Sequence, residues 1–311
     1  VPDRPLVIAH RGYSAAAPEN TLAAFEAALR AGADLLELDV RLDADGEAVV
    51  LHDASLERTT DAPGAVGGVG GALLRTVDAG SWFAPAFSGQ RVPTLAEVAA
   101  TAGRFPGAGL LVEFKGVWSP AAAAGAVAAL RAAGVAGRSV VQSFEEETVA
   151  ALRDVAPDVR RALLVLHPDP QTSLADVLQD PLTGMSSVPG VAAEQARRAV
   201  ADLGVVAVNP HVACLVASPH VVAEYHAAGV RTWPYTVDEP HLWDDLLRHG
   251  VDGLITNDPG RLRGFLDARQ VRAAQDGPPE DRAELTRAAA LQGRAAPRLL
   301  PAPRRRGLAS A

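Results

Sequence analysis

Apolar and polar positions along residues 6–258 follow two alternating rhythms. Short apolar runs of strand composition (6–10, 35–40, 109–115, 139–144, 161–166, 205–210, 231–237 and 253–257) are separated by Ala- and Leu-rich segments of helical period, such as 21–31, 121–133, 145–155, 219–228 and 240–249. Several helical segments end in Ala-Gly or His-Gly before the next apolar run, a helix C-cap signal. Eight strands, each followed by a helix, predict an α/β fold of the (β/α)8 TIM-barrel type. A doubly wound open sheet is the competing fold. It calls for fewer strands and a G-x-G-x-x-G loop after one of them, and the sequence has no such loop.

One apolar run breaks the parallel rhythm. Residues 48–53 follow residues 35–40 after only seven positions, too few for a crossover helix. Asp45-Gly46 is a hairpin-turn signal instead. With those two residues as the turn, Ala44 pairs with Glu47 and Asp39 falls opposite His52. Their Cβ atoms would then be about 5 Å apart on one hairpin face.

Residues 54–93 show no strong period and carry Gly64, Gly67, Gly68, Gly70 and Gly71 with Trp82, Phe83 and Phe87. In a barrel they form an insertion, a lid or substrate wall after the second-strand hairpin. Thr94-Leu95-Ala96-Glu97 then reads as a capping box opening the next helix. Residues 167–200 form another long connection, with Pro168, Pro170, Pro181 and Pro189. The expected organisation is a barrel over residues 1–267 and an Arg/Ala/Pro-rich tail over 268–311, partly helical or disordered.

Charge and composition narrow the function. The chain has 29 basic and 37 acidic residues, a formal net charge of −8, against the basic face that nucleic-acid binding needs. A single cysteine, Cys214, excludes an internal disulfide and a Cys-rich metal site. No apolar run approaches the roughly 20 residues of a membrane span. Val1 opens the chain without a basic and then apolar leader, so a cytoplasmic protein without stable membrane insertion is the expectation. Among the basic residues only Lys115 is lysine; the rest are arginine, which sets Lys115 apart from surface decoration.

Barrels of this kind gather their chemistry at the C-terminal ends of the strands. Those ends read His10-Arg11-Gly12, Glu37-x-Asp39, Glu113-x-Lys115, Gln142-Ser143, Asn209, Trp233 with Tyr235, and Thr256-Asn257, and the hairpin adds His52-Asp53. Alternation puts Glu37 and Asp39 on one face, and Glu113 and Lys115 on one face of the neighbouring strand. Three carboxylates in one place resist joint ionisation unless a cation joins them. Oxygen-only ligands suit one divalent ion, Mg²⁺ or Ca²⁺. The competing reading pairs Glu37 with Arg11 and Glu113 with Lys115 as buried salt bridges. A zinc site on His10 and His52 lacks an H-x-x-x-H or Cys partner. Arg11 and Lys115 beside a metal suit a phosphate group, and two near-neutral histidines can serve as acid and base around phosphorus.

Taken together, His10-Arg11-Gly12, Pro18-Glu19-Asn20-Thr21, Glu37-Leu38-Asp39-Val40, His52-Asp53, Glu113-Phe114-Lys115 and the stretch from Trp233 through Thr236-Val237 to Gly253-Leu254-Ile255-Thr256 resemble the glycerophosphodiester phosphodiesterase family. The likeness runs from residue 6 to about residue 263 and takes in Leu56-Glu57-Arg58-Thr59-Thr60 and Trp82-Phe83 of the insertion. It implies metal-dependent hydrolysis of a small-molecule glycerophosphodiester to sn-glycerol 3-phosphate and an alcohol. It makes His10 and His52 the acid/base pair; Glu37, Asp39 and Glu113 the metal ligands; and Arg11 and Lys115 the phosphate holders. Glu19, Asn20 and Trp233 would shape the substrate pocket, although Pro234-Tyr235 interrupts the family's usual Trp-Thr-Val stretch. A phosphodiesterase for lysophospholipid or sphingolipid head groups, with Trp82, Phe83 and Phe87 as an apolar rim, is the nearer alternative. A non-catalytic phosphodiester-binding barrel is the other.

Overall fold

Strands form along every apolar run: β1 (Leu6–Ala9), β2 (Leu35–Leu42), β3 (Ala48–Val50), β4 (Gly109–Phe114), β5 (Val140–Ser143), β6 (Arg160–Val165), β7 (Ala207–Pro210), β8 (Arg231–Thr232) and β9 (Gly253–Thr256). The computed structural model describes residues 4–166 and 190–276, without side chains for 273–276. Most of the proline-rich connection, and the tail past residue 276, lie outside the described residues. The chain divides into two compact units, Val1–Arg263 and Gly264–Ala311; the barrel is built within the first.

The parallel strands follow the order β8-β7-β6-β5-β4-β2-β1-β9, with β3 antiparallel on β2. Backbone bonds between the two end segments bring the sheet round on itself: Asp252 N–H to Thr232 O (3.0 Å), Ile255 N–H to Pro234 O (3.1 Å) and Val237 N–H to Ile255 O (2.8 Å). This is the expected eight-stranded TIM barrel. Regular pairing in β8 covers two residues rather than the seven of its apolar run, because Pro234 has no N–H to offer a neighbour.

Helices start where side chains can cap them. The Thr21 hydroxyl accepts the Ala24 N–H ahead of helix Leu22–Arg30, and Ser119 accepts from Ala122 ahead of Pro120–Ala132. The capping box is present: Thr94 N–H donates to Glu97 Oε2 (2.8 Å) and Glu97 N–H to Thr94 Oγ1 (3.2 Å).

Period-two alternation fills the barrel in layers. Leu6, Ile8, Leu35, Leu111, Val140, Ala162, Ala207, Trp233 and Ile255 form its apolar floor. The insertion has a second core of its own, in which Leu56, Val66, Leu74, Ala79 and Val92 pack against Val49 and Leu51 of the hairpin.

The hairpin register differs from the expected one by a residue. Val40 faces Val50 and Leu42 faces Ala48, so Leu51 takes the place expected for His52 and donates its N–H to Asp39 O (3.0 Å). The cause is the turn. Asp43 Oδ1 accepts from Asp45 N–H (2.9 Å) and Glu47 N–H (2.8 Å), and Gly46 adopts φ +80°, a three-residue loop closed by a left-handed glycine. His52 lies beyond the last paired residue, where the chain bends, and remains near enough to Asp39 for the two charges to interact.

Candidate active site

Strand geometry assembles the acids. Alternation sends Glu37 and Asp39 to the same face of β2, and the parallel register sets Asp39 directly beside Glu113 of β4. One oxygen from each of the three buried carboxylates lies within 4.8 Å of the others. Burial, then the charges of Asp39 and Glu113, push the Glu37 carboxyl well up from its ordinary value. Burial and Asp39 raise Glu113 to about 7 in spite of Lys115. Burial would raise Asp39 as well, but Lys115, Arg11 and His52 hold it below the usual carboxylate range.

The two cations sit among these acids. Lys115 Nζ lies 2.9 Å from Asp39 Oδ1 and 2.5 Å from Glu113 Oε1. Both oxygens are buried, and their contact with the ammonium is an ion pair rather than an aligned hydrogen bond. Arg11 places Nε 3.2 Å from Asp39 Oδ2 and donates Nη1–H to Glu19 Oε1 (2.9 Å). Glu37 is met by the Arg11 backbone N–H (2.9 Å) rather than by its guanidinium. The salt-bridge alternative therefore holds for Glu113 and Lys115 but not for Glu37. A buried set of hard oxygen donors, two of them unbonded and two disfavouring joint ionisation, fits a divalent cation.

That backbone contact depends on a sharp turn. Arg11 has φ +53°, a left-handed conformation that costs a non-glycine residue about 1–3 kcal/mol and concentrates at functional sites. Gly12 follows at φ +82°, where a Cβ would come within 2.7 Å of the Ala24 carbonyl carbon. Asn20, also left-handed at φ +58°, bonds Arg11 O through its N–H (3.0 Å) and donates Nδ2–H to Asp39 Oδ2 (2.9 Å). Asn20 is thus buried support for Asp39. Glu19 ties Arg11 to Arg58, which reaches it through two nitrogens and grips Asp53 as well.

Each histidine is held through Nδ1. His52 Nδ1 lies 2.6 Å from Asp53 Oδ1, and Arg58 keeps Asp53 charged, so Nδ1 is the donor. His10 Nδ1 lies 2.7 Å from Asn257 Oδ1. In both rings Nε2 is left as the proton-accepting nitrogen of the neutral form. Burial, then Arg11, lowers His10 to about 4; burial also lowers His52.

The opposite side of the mouth is built from neutral groups. Phe144, Tyr235 and His211 stack edge to face, with ring centroids 6.1 Å (Phe144–Tyr235) and 5.4 Å (His211–Tyr235) apart. His211 Nδ1 accepts the Ala213 N–H (3.2 Å), and burial lowers its pKa. Below them Asn209 donates to Gln142 Oε1 (2.8 Å). The expectation for Trp233 is corrected here. Its indole is 3% exposed and packs in the apolar floor of the barrel. Trp233 lies one layer below Tyr235, whose backbone bridges His211. Small neighbours make room for the ring: Ala162, Ala207 and Gly253, where a Cβ would lie 3.1 Å from the indole.

Several contributors carried no role in the sequence reading. Asn257 and Tyr235 are visible there only as strand-end residues, Arg58 only as part of a motif, and Asp238 not at all. Asp238 acts across the β8–β9 seam, a pairing with no local signature.

The model of the glycerophosphoryl diester phosphodiesterase family matches residues 10–261. A Bacillus subtilis relative is 40% identical over 159 residues, spanning 51% of this chain and 65% of its own length. The glycerophosphodiester phosphodiesterase of Caldanaerobacter subterraneus subsp. tengcongensis is 32% identical over 259 residues, 83% of this chain and 96% of that protein. An Oleispira antarctica phosphodiesterase, solved with its product sn-glycerol-3-phosphate, superposes with a TM-score of 0.68 at 26% identity, over 85% of this chain and 97% of that one.

Proposed function

The chain belongs to the glycerophosphoryl diester phosphodiesterase family, and from that footing we propose that it hydrolyses glycerophosphodiesters to sn-glycerol 3-phosphate and an alcohol through a His10/His52 proton exchange beside a divalent cation. The observation that carries this reading is the buried triad of Glu37, Asp39 and Glu113 with two histidines, each fixed by its Nδ1 and near enough to Asp39 to interact with it. Glu37, Asp39 and Glu113 would hold one Mg²⁺ or Ca²⁺. Such an ion, when bound, supplies Lewis-acid stabilisation of charge on the phosphoryl oxygens.

Arg11 and Lys115 are the phosphate-binding groups. Of its five donors Arg11 has committed one Nη1–H to a hydrogen bond, and Lys115 touches Asp39 and Glu113 only as ion pairs, which leaves donors for non-bridging oxygens. His10 rests on a neutral amide and favours the uncharged ring, so it accepts the proton of the nucleophile, either water or the neighbouring glycerol hydroxyl. An anionic diester beside Arg11 offsets the positive charge that helps hold His10 low. His52 rests on a carboxylate, which stabilises an imidazolium, so it is the acid. As the new O–P bond forms, the P–O bond to the departing alcohol breaks and its oxygen takes the His52 Nε2 proton; where the glycerol hydroxyl is the nucleophile, water then opens the cyclic phosphate, giving its proton to His52 while His10 protonates the ring oxygen that leaves. The organic arms lie against Phe144, Tyr235 and His211.

The test is release of sn-glycerol 3-phosphate from a panel of glycerophosphodiesters, with EDTA and then Mg²⁺ or Ca²⁺ added back. Loss of turnover on chelation and recovery on re-addition are expected; turnover indifferent to EDTA removes the cation from the account. Preference for lysophospholipid vesicles over soluble diesters would transfer the reading to the lipid alternative. Binding without product would leave the non-catalytic one.

A further inference from the structure

The two histidines differ in what stands behind them. His52 meets a carboxylate directly, whereas His10 meets an amide that a second carboxylate holds in place. Asp238 receives three donors: Thr256 Oγ1–H (2.9 Å) and Asn257 N–H (2.8 Å) at Oδ1, and Asn257 Nδ2–H (2.6 Å) at Oδ2. The last bond fixes the nitrogen end of the Asn257 amide. A flipped amide would turn its carbonyl oxygen onto the Asp238 carboxylate, two acceptors in contact. Asn257 Oδ1 is therefore committed to His10 Nδ1, with Ser14 Oγ also 2.7 Å from it.

We propose that Asn257 is a positioning residue, aimed by Asp238, that locks His10 as the Nδ1–H tautomer and leaves Nε2 as the proton acceptor. The arrangement spans three segments. His10 N–H bonds Thr256 O (2.9 Å), joining β1 to β9, and Val237 N–H bonds Ile255 O, holding the segment that delivers Asp238. An amide orients the ring without adding the proton affinity that a carboxylate would give. The charged groups that face His10 are Arg11 from its own turn, Asp39 from β2 and Glu19 from the segment before the first helix. Of these only Arg11 disfavours a charge on the ring. A carboxylate in place of Asn257 would join the two acids and oppose it.

The inference rests on His10 being the proton acceptor, so His10→Ala is run alongside. In the full chain with saturating Mg²⁺, Asn257→Ala is expected to lower kcat by about 10–100-fold with KM within about twofold. Nitrogen-15 shifts of His10 should move from the Nδ1–H pattern in the wild type toward Nε2–H or a mixture. The double exchange Asn257→Asp with Asp238→Asn keeps one amide and one carboxylate in the chain but reverses their order. It should recover much of kcat at alkaline pH while shifting the acid limb of the pH profile upward, a change that a purely structural contact does not produce. A wild-type kcat and an unchanged Nδ1–H signal in Asn257→Ala overturn the proposal, even with His10→Ala inactive. Activity in His10→Ala would instead overturn the reading of His10 itself. If Asn257→Ala fails to fold, the wild-type tautomer and the exchanged pair decide the matter: an Nε2–H wild type or an unmoved limb counts against the relay.

Discussion

The mouth of the barrel has two unlike halves. The ends of β9, β1, β2 and β4 carry Asn257, His10, Arg11, Glu37, Asp39, Glu113 and Lys115, a dense network of charge. The ends of β5, β7 and β8 carry Phe144, His211 and Tyr235 above the Gln142–Asn209 pair, bonded through edges of rings and amides. Both halves stand on the ends of parallel strands. What differs is the cost of burial: charges need partners on every side, whereas rings need only area. The charged half can thus be disturbed at one atom and fail, while the neutral half should yield gradually.

The widest gap between the halves should appear in turnover. His10→Ala and His52→Ala are each expected to lower kcat by about 10²–10⁴-fold, whereas His211→Phe keeps kcat within a few-fold in the same steady-state assay. Equal losses on both sides would erase the distinction. Next in size is the floor beneath them. Trp233→Ala should cost about 3–5 kcal/mol in urea unfolding, with kcat per folded molecule close to wild type. A large kcat defect without a stability loss would return Trp233 to the pocket.

The acids make a smaller, pH-dependent prediction. Glu37 and Glu113 have raised pKa values, so protons compete with a cation for them. Calorimetry in buffers of different ionisation enthalpy should register proton release on Mg²⁺ binding at pH 7. Affinity should weaken as pH falls below about 7, up to tenfold per unit for each proton displaced. Stability without a divalent ion has the opposite slope. Carboxyls raised on folding bind protons in the folded state that the unfolded chain has lost, so stability falls as pH rises through the Glu113 value near 7. His10, His52 and His211 are lowered, so through the ordinary histidine range near 6.5 they add a slope of the opposite sign, which ends only above that range. A wild-type melting temperature that rises relative to that of Glu113→Gln between about pH 5 and 8 would contradict it. Smallest is the aromatic wall: Tyr235→Leu should reduce kcat/KM by about 2–10-fold, mainly through KM.

Much of the charged half was legible in the sequence because period-two alternation is local. Glu37-x-Asp39 and Glu113-x-Lys115 each fix a face without knowledge of any partner, and the barrel rule then brings the faces together. Residues whose placement depends on register were harder to read. A two-residue turn at Asp45-Gly46 sets His52 opposite Asp39, but Asp43 and Gly46 build a three-residue one. Trp233 was read as a mouth residue because a lone strand does not reveal its height against its neighbours; pairing of Ala207 with Arg231 sets it a layer down. Asp238 was invisible because its bonds run entirely to another strand.

The satellite core under residues 54–93 has a wider consequence. Leu51 and Leu56, on either side of His52 and Asp53, are both anchored in it, whereas the acidic triad stands on strands of the barrel proper. His52, the proposed acid, is thus held by a core separate from the barrel's apolar floor. Exchanging residues 54–93 between homologous scaffolds therefore offers a way to change the setting of His52 while the three acids stay on their own strands.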